Sequence, residues 1–387
     1  MRIKRWAHGI SILGLLSLWF GIRGSLPDEV KAQSGKPTVD VPQMELDPYW
    51  PKHLPSRWIF GQLGAVCADA NDHIFVMSRG DLWPKEQFIA PPAPPVIEFD
   101  PEGDVVNSWG DRATLPDELH GCSFDKQGNF WTAGSADGII QEYTHDGKLL
   151  LQVGTKGKFD SVDGTDTRKG AHPKPLNSSH TSFASPTDVA VDSTNGDFYV
   201  SDGYGNKRVA VFDKKGQFLR QWGRQGTTAE VDAGVGGIFV DIVHCVVIGN
   251  DGMIYVCDRN GDRVEIFDKM GNYKRSINVS SSMGGPHYKG PGGTCWVSFS
   301  RDPAQKLMYI SDCSNDEIHI VDRATGVTLA NIGHPGQAAG DISSPHSIAI
   351  DSKGNLYVAG SLNDRRLQKF KVVSQTEHPQ VRFATDK

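Results

Sequence analysis

One phrase recurs six times along the chain and dictates its architecture: "GAVCADANDHIFVMSRG", "HGCSFDKQGNFWTAGS", "TDVAVDSTNGDFYVSDG", "HCVVIGNDGMIYVCDR", "CWVSFSRDPAQKLMYISD" and "HSIAIDSKGNLYVAGS". Each copy is an apolar alternation, a polar turn and a second alternation rich in β-branched or aromatic residues, the pattern of a β-hairpin. The units begin at Gly64, His120, Thr187, His244, Cys295 and His346, spaced 56, 67, 57, 51 and 51 residues apart. A second hairpin follows the first, as in "RVAVFDKKGQFLRQWG" at 208–223 and "RVEIFDKMGNYKRSI" at 263–277. Four strands per unit, repeated radially, predict an all-β, six-bladed β-propeller.

The last unit ends near "RRLQKFKVV" without a fourth strand, and "SRWIFGQLG" ahead of the first unit resembles the missing piece. An N-terminal strand is therefore expected to close the ring, which removes the exposed edges an open ring would leave. The insertion at 155–182, with its Gly, Pro and Ser, is expected to be a surface loop able to cover one end. The expected boundaries are an export signal at 1–32, an extension at 33–55, the propeller at 56–375 and a tail at 376–387.

The signal reading rests on a basic start, an apolar run from Ile10 to Ile22 and small-residue cleavage after Ala32. It predicts a secreted or periplasmic protein, with the membrane a partner only if the run stays as an uncleaved anchor; the propeller itself is expected to be a monomer. A net charge of −6, with no Lys/Arg run beyond the N-terminus, argues against nucleic-acid binding. Among six cysteines, Cys245 with Cys257 and Cys295 with Cys313 fall on opposite strands of a hairpin; bridges and buried thiols are both open.

Aligning the units on their turns places His120, His244 and His346 at one position, the start of the innermost strand in blades two, four and six. Alternate blades of a six-bladed ring are related by a third of a turn, so the three imidazoles should converge on the axis at one depth. Three neutral imidazoles with a free fourth position are what a catalytic zinc site requires, and iron, cobalt or manganese would suit the same ligands. The strand-two ends return to this mouth. They bring Arg79 in "MSRGDLW", Arg259 in "VCDRNGDR" and Tyr204 in "VSDGYGNKR". Arg79 and Arg259 occupy equivalent registers in blades one and four, where guanidinium groups could hold a substrate carboxylate.

Taken together, "RGDLW", "LHGCSFDKQGNFW", "PTDVAVDSTNGDFYVSDGYGNKRV", "VHCVVIGNDGMIYVCDRNGDRVEIF" and "PHSIAIDSKGNLYVAG" resemble the NHL-type peptidyl-α-hydroxyglycine α-amidating lyases over about residues 60–372. The resemblance implies zinc on His120, His244 and His346, Tyr204 as the catalytic tyrosine through "GYGN", and Arg79 and Arg259 as the active-site arginines. The implied reaction cleaves the C–N bond of an α-hydroxyglycine amide, from a small-molecule or peptide substrate with a carboxylate, to an amide and glyoxylate. The chain departs from the family at Ser347, where an aspartate helps to hold a structural calcium, so calcium is not expected. The family's half-cystine positions fall at Ala184 and Gly205, and at Tyr255 and Ile266, so neither of those disulfides can form. Two other functions stay open: a zinc hydrolase of esters or lactones on the same histidines, and a non-enzymatic NHL propeller that binds partners.

Overall fold

A computed structural model describes residues 40–165, 177–279 and 293–376. The expected export signal and most of the tail lie outside the described residues. Among those described, no helix is long and apolar enough to cross a membrane.

Among the described residues, twenty-four strands form six four-stranded antiparallel sheets. The first, β1 (Val41–Leu46), belongs to the last blade. Blade one is β2 (Leu63–Ala68), β3 (Ile74–Ser78), β4 (Val96–Phe99) and β5 (Val105–Trp109); blade two is β6 (Leu119–Phe124), β7 (Phe130–Gly134), β8 (Ile140–Tyr143) and β9 (Leu149–Val153). Blade three is β10 (Pro186–Val191), β11 (Phe198–Asp202), β12 (Arg208–Phe212) and β13 (Phe218–Trp222); blade four is β14 (Val243–Ile248), β15 (Ile254–Asp258), β16 (Arg263–Phe267) and β17 (Tyr273–Asn278). Blade five is β18 (Thr294–Phe299), β19 (Leu307–Asp312), β20 (Glu317–Asp322) and β21 (Thr328–Ile332); blade six is β22 (Pro345–Ile350), β23 (Leu356–Gly360), β24 (Leu367–Thr376) and β1. The single α-helix among the described residues, α1 (Thr228–Asp232), is started by a capping box between Thr227 and Glu230.

An N-terminal strand does close the ring, but not the expected one. Val41–Leu46 pairs with β24 from Val41↔Thr376 to Leu46↔Phe370. "SRWIFGQLG" cannot serve, because Ser56 and Arg57 adopt positive φ values of 54° and 59° in the turn Pro55–Arg57. That turn instead lays Trp58 and Phe60 against the cluster of Trp50, Phe99 and Tyr357.

Burial explains why the blades stand upright around an axis. The first three strands of most blades are buried almost throughout, whereas outer strands such as β9 and β13 are largely open to solvent. Aromatic rings fill the seams between blades: Phe75 meets Phe124 and Phe130, Trp131 meets Phe198, and Tyr255 meets Phe299. All six cysteines are paired. Cys245–Cys257 and Cys295–Cys313 bridge strands one and two of their blades, with Cα separations of 5.0 and 6.0 Å. Cys67–Cys122 ties the inner strands of blades one and two, a pairing that reasoning within single hairpins missed.

One irregularity repeats. Between strands one and two of every blade the register slips by a residue, at Leu63/Ala65, Leu119/Gly121, Pro186/Asp188, Val243/Val246, Thr294/Trp296 and Pro345/Ser347. Such a bulge re-aims one side chain. The residues it sets free are Gly64, His120, Thr187, Cys295 and His346, with His244 beside Cys245 in blade four.

Candidate metal centre

The bulges turn His120, His244 and His346 inward from alternate blades. Their ring centroids lie 4.6, 4.4 and 4.9 Å apart, and one nitrogen from each falls within 4.8 Å of the other two. The opposite ring nitrogens are fixed by the intervening blades. His120 Nδ1 donates to Thr187 O at 2.9 Å, His244 Nδ1 to Cys295 O at 2.7 Å, and His346 Nδ1 to Gly64 O at 2.8 Å. A carbonyl can only accept, so each Nδ1 carries the hydrogen and each Nε2 keeps its lone pair. Nδ1–H held by a backbone carbonyl is the usual support of a metal-binding histidine.

Electrostatics enforces the same state. Burial is the first cause holding all three histidines well below their ordinary value; neighbouring imidazoles and Arg79 add to it at His120, His346 with both arginines at His244, and Arg79 and Arg259 at His346. His244 Nε2 is buried and has no hydrogen-bond partner. An orphaned nitrogen lone pair facing two others is a donor set that fits a divalent cation, with His120, His244 and His346 as its ligands.

Tyr204 stands beside this group, its Oη 3.3 Å from His120 Nε2 and its ring centroid 6.2 Å from that of His244. The loop carrying it lies against blade four: a Cβ on Gly203 would strike Val243 O, so only glycine permits the approach. Tyr204 N donates to Ser185 O, and Asp202 anchors the loop through Asn206 Nδ2 and Arg208 Nε. The described part of the 155–182 insertion joins this anchor. Asp160 accepts from Asn206, and Arg208 donates to Ser179 O and Ser182 O, so these described residues pack on blade three beside the Tyr204 loop.

Arg79 is pinned over blade two by a bond from Nε to Leu119 O at 3.0 Å, one residue before His120. Arg112 holds the same turn from outside, donating to Ser78 O and Arg79 O; no sequence signal marks it for that task. Arg259 follows β15, its backbone N–H bonded to Ile242 O and its Nε buried without a hydrogen bond. Asp258, one residue before it, pairs with Arg263 at 3.0 Å. Charges from both Arg79 and Arg259 act on His244 and on His346, so the two arginines flank the triad together. Ser347, in place of a carboxylate, donates to Val66 O and accepts from Val66 N, a neutral contact between blades.

Comparison with known proteins agrees with this architecture. An NHL repeat model matches residues 183–212 and a β-propeller repeat model matches residues 332–361. Peptidyl-glycine alpha-amidating monooxygenase B of Xenopus laevis is 26% identical over 344 residues, covering 84% of this chain and 35% of that protein. The chain thus spans about a third of the length of that relative. A probable peptidyl-alpha-hydroxyglycine alpha-amidating lyase of Caenorhabditis elegans is 27% identical over 225 residues, 55% of this chain and 57% of that one. NHL repeat-containing protein 3 of Homo sapiens is 24% identical over 84% of this chain and 83% of its own length. Among solved structures, a streptogramin B lyase superposes on 86% of this chain and 98% of its own with a TM-score of 0.48 and 10% identity. The chain is a six-bladed β-propeller that carries matches to the NHL and β-propeller repeats, and its relatives include peptidyl-α-hydroxyglycine α-amidating lyases and NHL repeat-containing proteins.

Proposed function

We propose that this propeller is a zinc-dependent lyase that cleaves the C–N bond of an α-hydroxyglycine amide, giving an amide and glyoxylate. The observation that carries the reading is the convergence of three unprotonated Nε2 atoms beside a tyrosine hydroxyl and two arginines. When bound, a zinc ion supplies Lewis acidity to a substrate oxygen.

The chain's own groups account for the remaining work. Tyr204 Oη, as the phenolate, takes the proton of the substrate hydroxyl as general base and returns it to the leaving nitrogen. The C–O⁻ pair becomes the aldehyde C=O as the C–N bond breaks. The C–N electron pair goes to the amide nitrogen, which recovers the proton, and no water is consumed. Arg79 and Arg259 hold the carboxylate that becomes part of glyoxylate, and the unpartnered Nε of Arg259 is a ready donor to it. The three disulfides suit an oxidising compartment, which fits an exported enzyme.

The test is glyoxylate formation from α-hydroxyhippurate by zinc-replete protein. Production of glyoxylate that disappears on chelation supports the reading, and its absence from metal-loaded protein rejects it for this substrate class. The match to most of the length of the human NHL repeat-containing protein 3 favours a second, non-catalytic reading as a binding platform. In that case purified protein carries no stoichiometric metal at the axis, and His120→Ala leaves partner binding unchanged.

A further inference from the structure

Blades three, four and five meet the histidine mouth with the same corner, yet one of them fills it with different side chains. In blade three the last residue of strand two, Asp202, faces the first residue of strand three, Arg208, and the two pair at 2.9 Å. Blade four repeats this with Asp258 and Arg263 at 3.0 Å. Blade five keeps the aspartate, Asp312, but the residue opposite it is Glu317. Two buried carboxylates therefore occupy the place of a carboxylate–guanidinium pair, 1% and 5% exposed.

His319, two residues along β20 and also buried, completes the group. Its Nε2 lies 3.2 Å from Asp312 Oδ2 and 3.6 Å from Glu317 Oε1, while Nδ1 sits 2.9 Å from Asn331 Oδ1. The carboxamide oxygen accepts the Nδ1 hydrogen, which leaves Nε2 facing the two carboxylates. One donor atom from each of the three residues lies within 4.8 Å of the others. Ligands at about 2.1 Å from an ion are separated by about 3.0 Å in octahedral and about 3.4 Å in tetrahedral geometry, so the observed edges are of coordination size.

A second observation points the same way. Thr294 is the cross-strand partner of Asp312 in β18, so its side chain shares that face of the sheet; it is fully buried, and its Oγ1 has no hydrogen-bond partner. Further negative charge surrounds the corner. The Asp262 carboxylate accepts from Gly293 N, and Asp316 acts on Asp312 electrostatically. Asn315 Nδ2 donates to Asp312 Oδ2, which orients that carboxylate.

We propose that Asp312, Glu317 and His319 bind a second divalent transition-metal cation, with Thr294 Oγ1 completing the donor set, and that the ion replaces the arginine of the neighbouring blades. Imidazole among the ligands favours a zinc-like ion over calcium or magnesium. The role is structural: Thr294 precedes Cys295, whose carbonyl orients His244, so the ion fixes the corner that supports one axial ligand.

The proposal does not depend on the lyase reading, and zinc counting separates the two. The axial variant His120→Asn/His244→Asn/His346→Asn, equilibrated with zinc and analysed for metal, should retain one zinc per chain where wild type holds two, and zinc should raise its Tm. Glu317→Arg recreates the pair of blades three and four, so it should stay folded and bind one zinc fewer than its parent, in wild type as well as in the axial variant. Should the axial variant fold poorly, wild type against Glu317→Arg still gives two against one. Folded axial variant without zinc, or Glu317→Arg holding as much zinc as its parent, overturns the proposal.

Discussion

Metal-stripped protein should lose stability steeply below pH 6.5, and the slope counts the axial histidines. His120 and His244 are fully buried and His346 is 7% exposed. Burial above all, with neighbouring imidazoles at His120 and His244 and one or both arginines at every one of the three, holds the folded-state values well below the ordinary 6.5. The unfolded chain then binds up to three more protons than the native state as the pH falls past 6.5, so stability is present above that pH and is lost below it. Each proton is worth about 1.36 kcal/mol per pH unit, so three set a limiting slope of about 4 kcal/mol per unit. Integrated from pH 6.5 to 5.5, the loss is about 3 kcal/mol, a large share of the 5–15 kcal/mol typical of folded proteins. Other buried groups titrate with the opposite sign: Glu265, pushed up to about 8 by burial, and Asp258 and Asp364, at about 6, gain protons in the native state. The measurement is therefore a difference: urea unfolding of chelator-treated wild type and of the His120→Asn/His244→Asn/His346→Asn variant, at pH 7.5, 6.5 and 5.5. The variant keeps the shared carboxylates and loses the three imidazoles, so wild type should fall behind it by about 3 kcal/mol. Parallel curves would show that the native imidazoles take up protons freely, and the assignment of three unprotonated Nε2 donors would fail.

Three further outcomes follow from the same geometry. Tyr204→Phe should keep its zinc and lose turnover by about a hundredfold or more, the usual worth of a positioned base; wild-type turnover on α-hydroxyhippurate removes Tyr204 from that role. Arg259→Gln should raise KM for the same substrate by about tenfold or more, because a charge-assisted bond is worth about 1.5–3 kcal/mol, and an unchanged KM would free Arg259 of the carboxylate. Cys67→Ser with Cys122→Ser releases a crosslink closing 55 residues, an unfolded-state effect of about 4 kcal/mol, which denaturant melts under non-reducing conditions would register.

How much of this was legible in the sequence depended on what repeats. The hairpins were readable because each copy carries period-two alternation about a polar turn, and the histidines because alignment on those turns put them in one register. The bulge that turns them inward was not readable, since a residue's pairing partner is a property of two strands and Gly64, Thr187 and Cys295 share no side-chain chemistry. Cys67–Cys122 was missed for the same reason: its partners meet across a seam between blades. The closing strand was misplaced because "SRWIFGQLG" has strand-like composition while Ser56 and Arg57 sit in the left-handed region. The corner of blade five did leave a signal. Set beside "DGYGNKRV" and "DRNGDRVEIF", the segment "DCSNDEIHIV" has lost its arginine and gained Glu317 and His319.

The odd-numbered blades explain why three histidines suffice on a ring of six. Each axial imidazole uses two edges: Nε2 points to the axis and Nδ1 points sideways, into the next blade. What it meets there is the main-chain carbonyl of that blade's bulge residue: Thr187 for His120, Cys295 for His244 and Gly64 for His346. The even blades must therefore carry a particular side chain, and the odd blades need supply only backbone at the right height. A fourth histidine in an odd blade would project into the space where the first three meet, bringing another lone pair to a site whose existing nitrogens already lie within 4.8 Å of one another. The alternation of histidine with Gly, Thr and Cys is thus a division between donors and the carbonyls that orient them, made possible by a bulge present in all six blades.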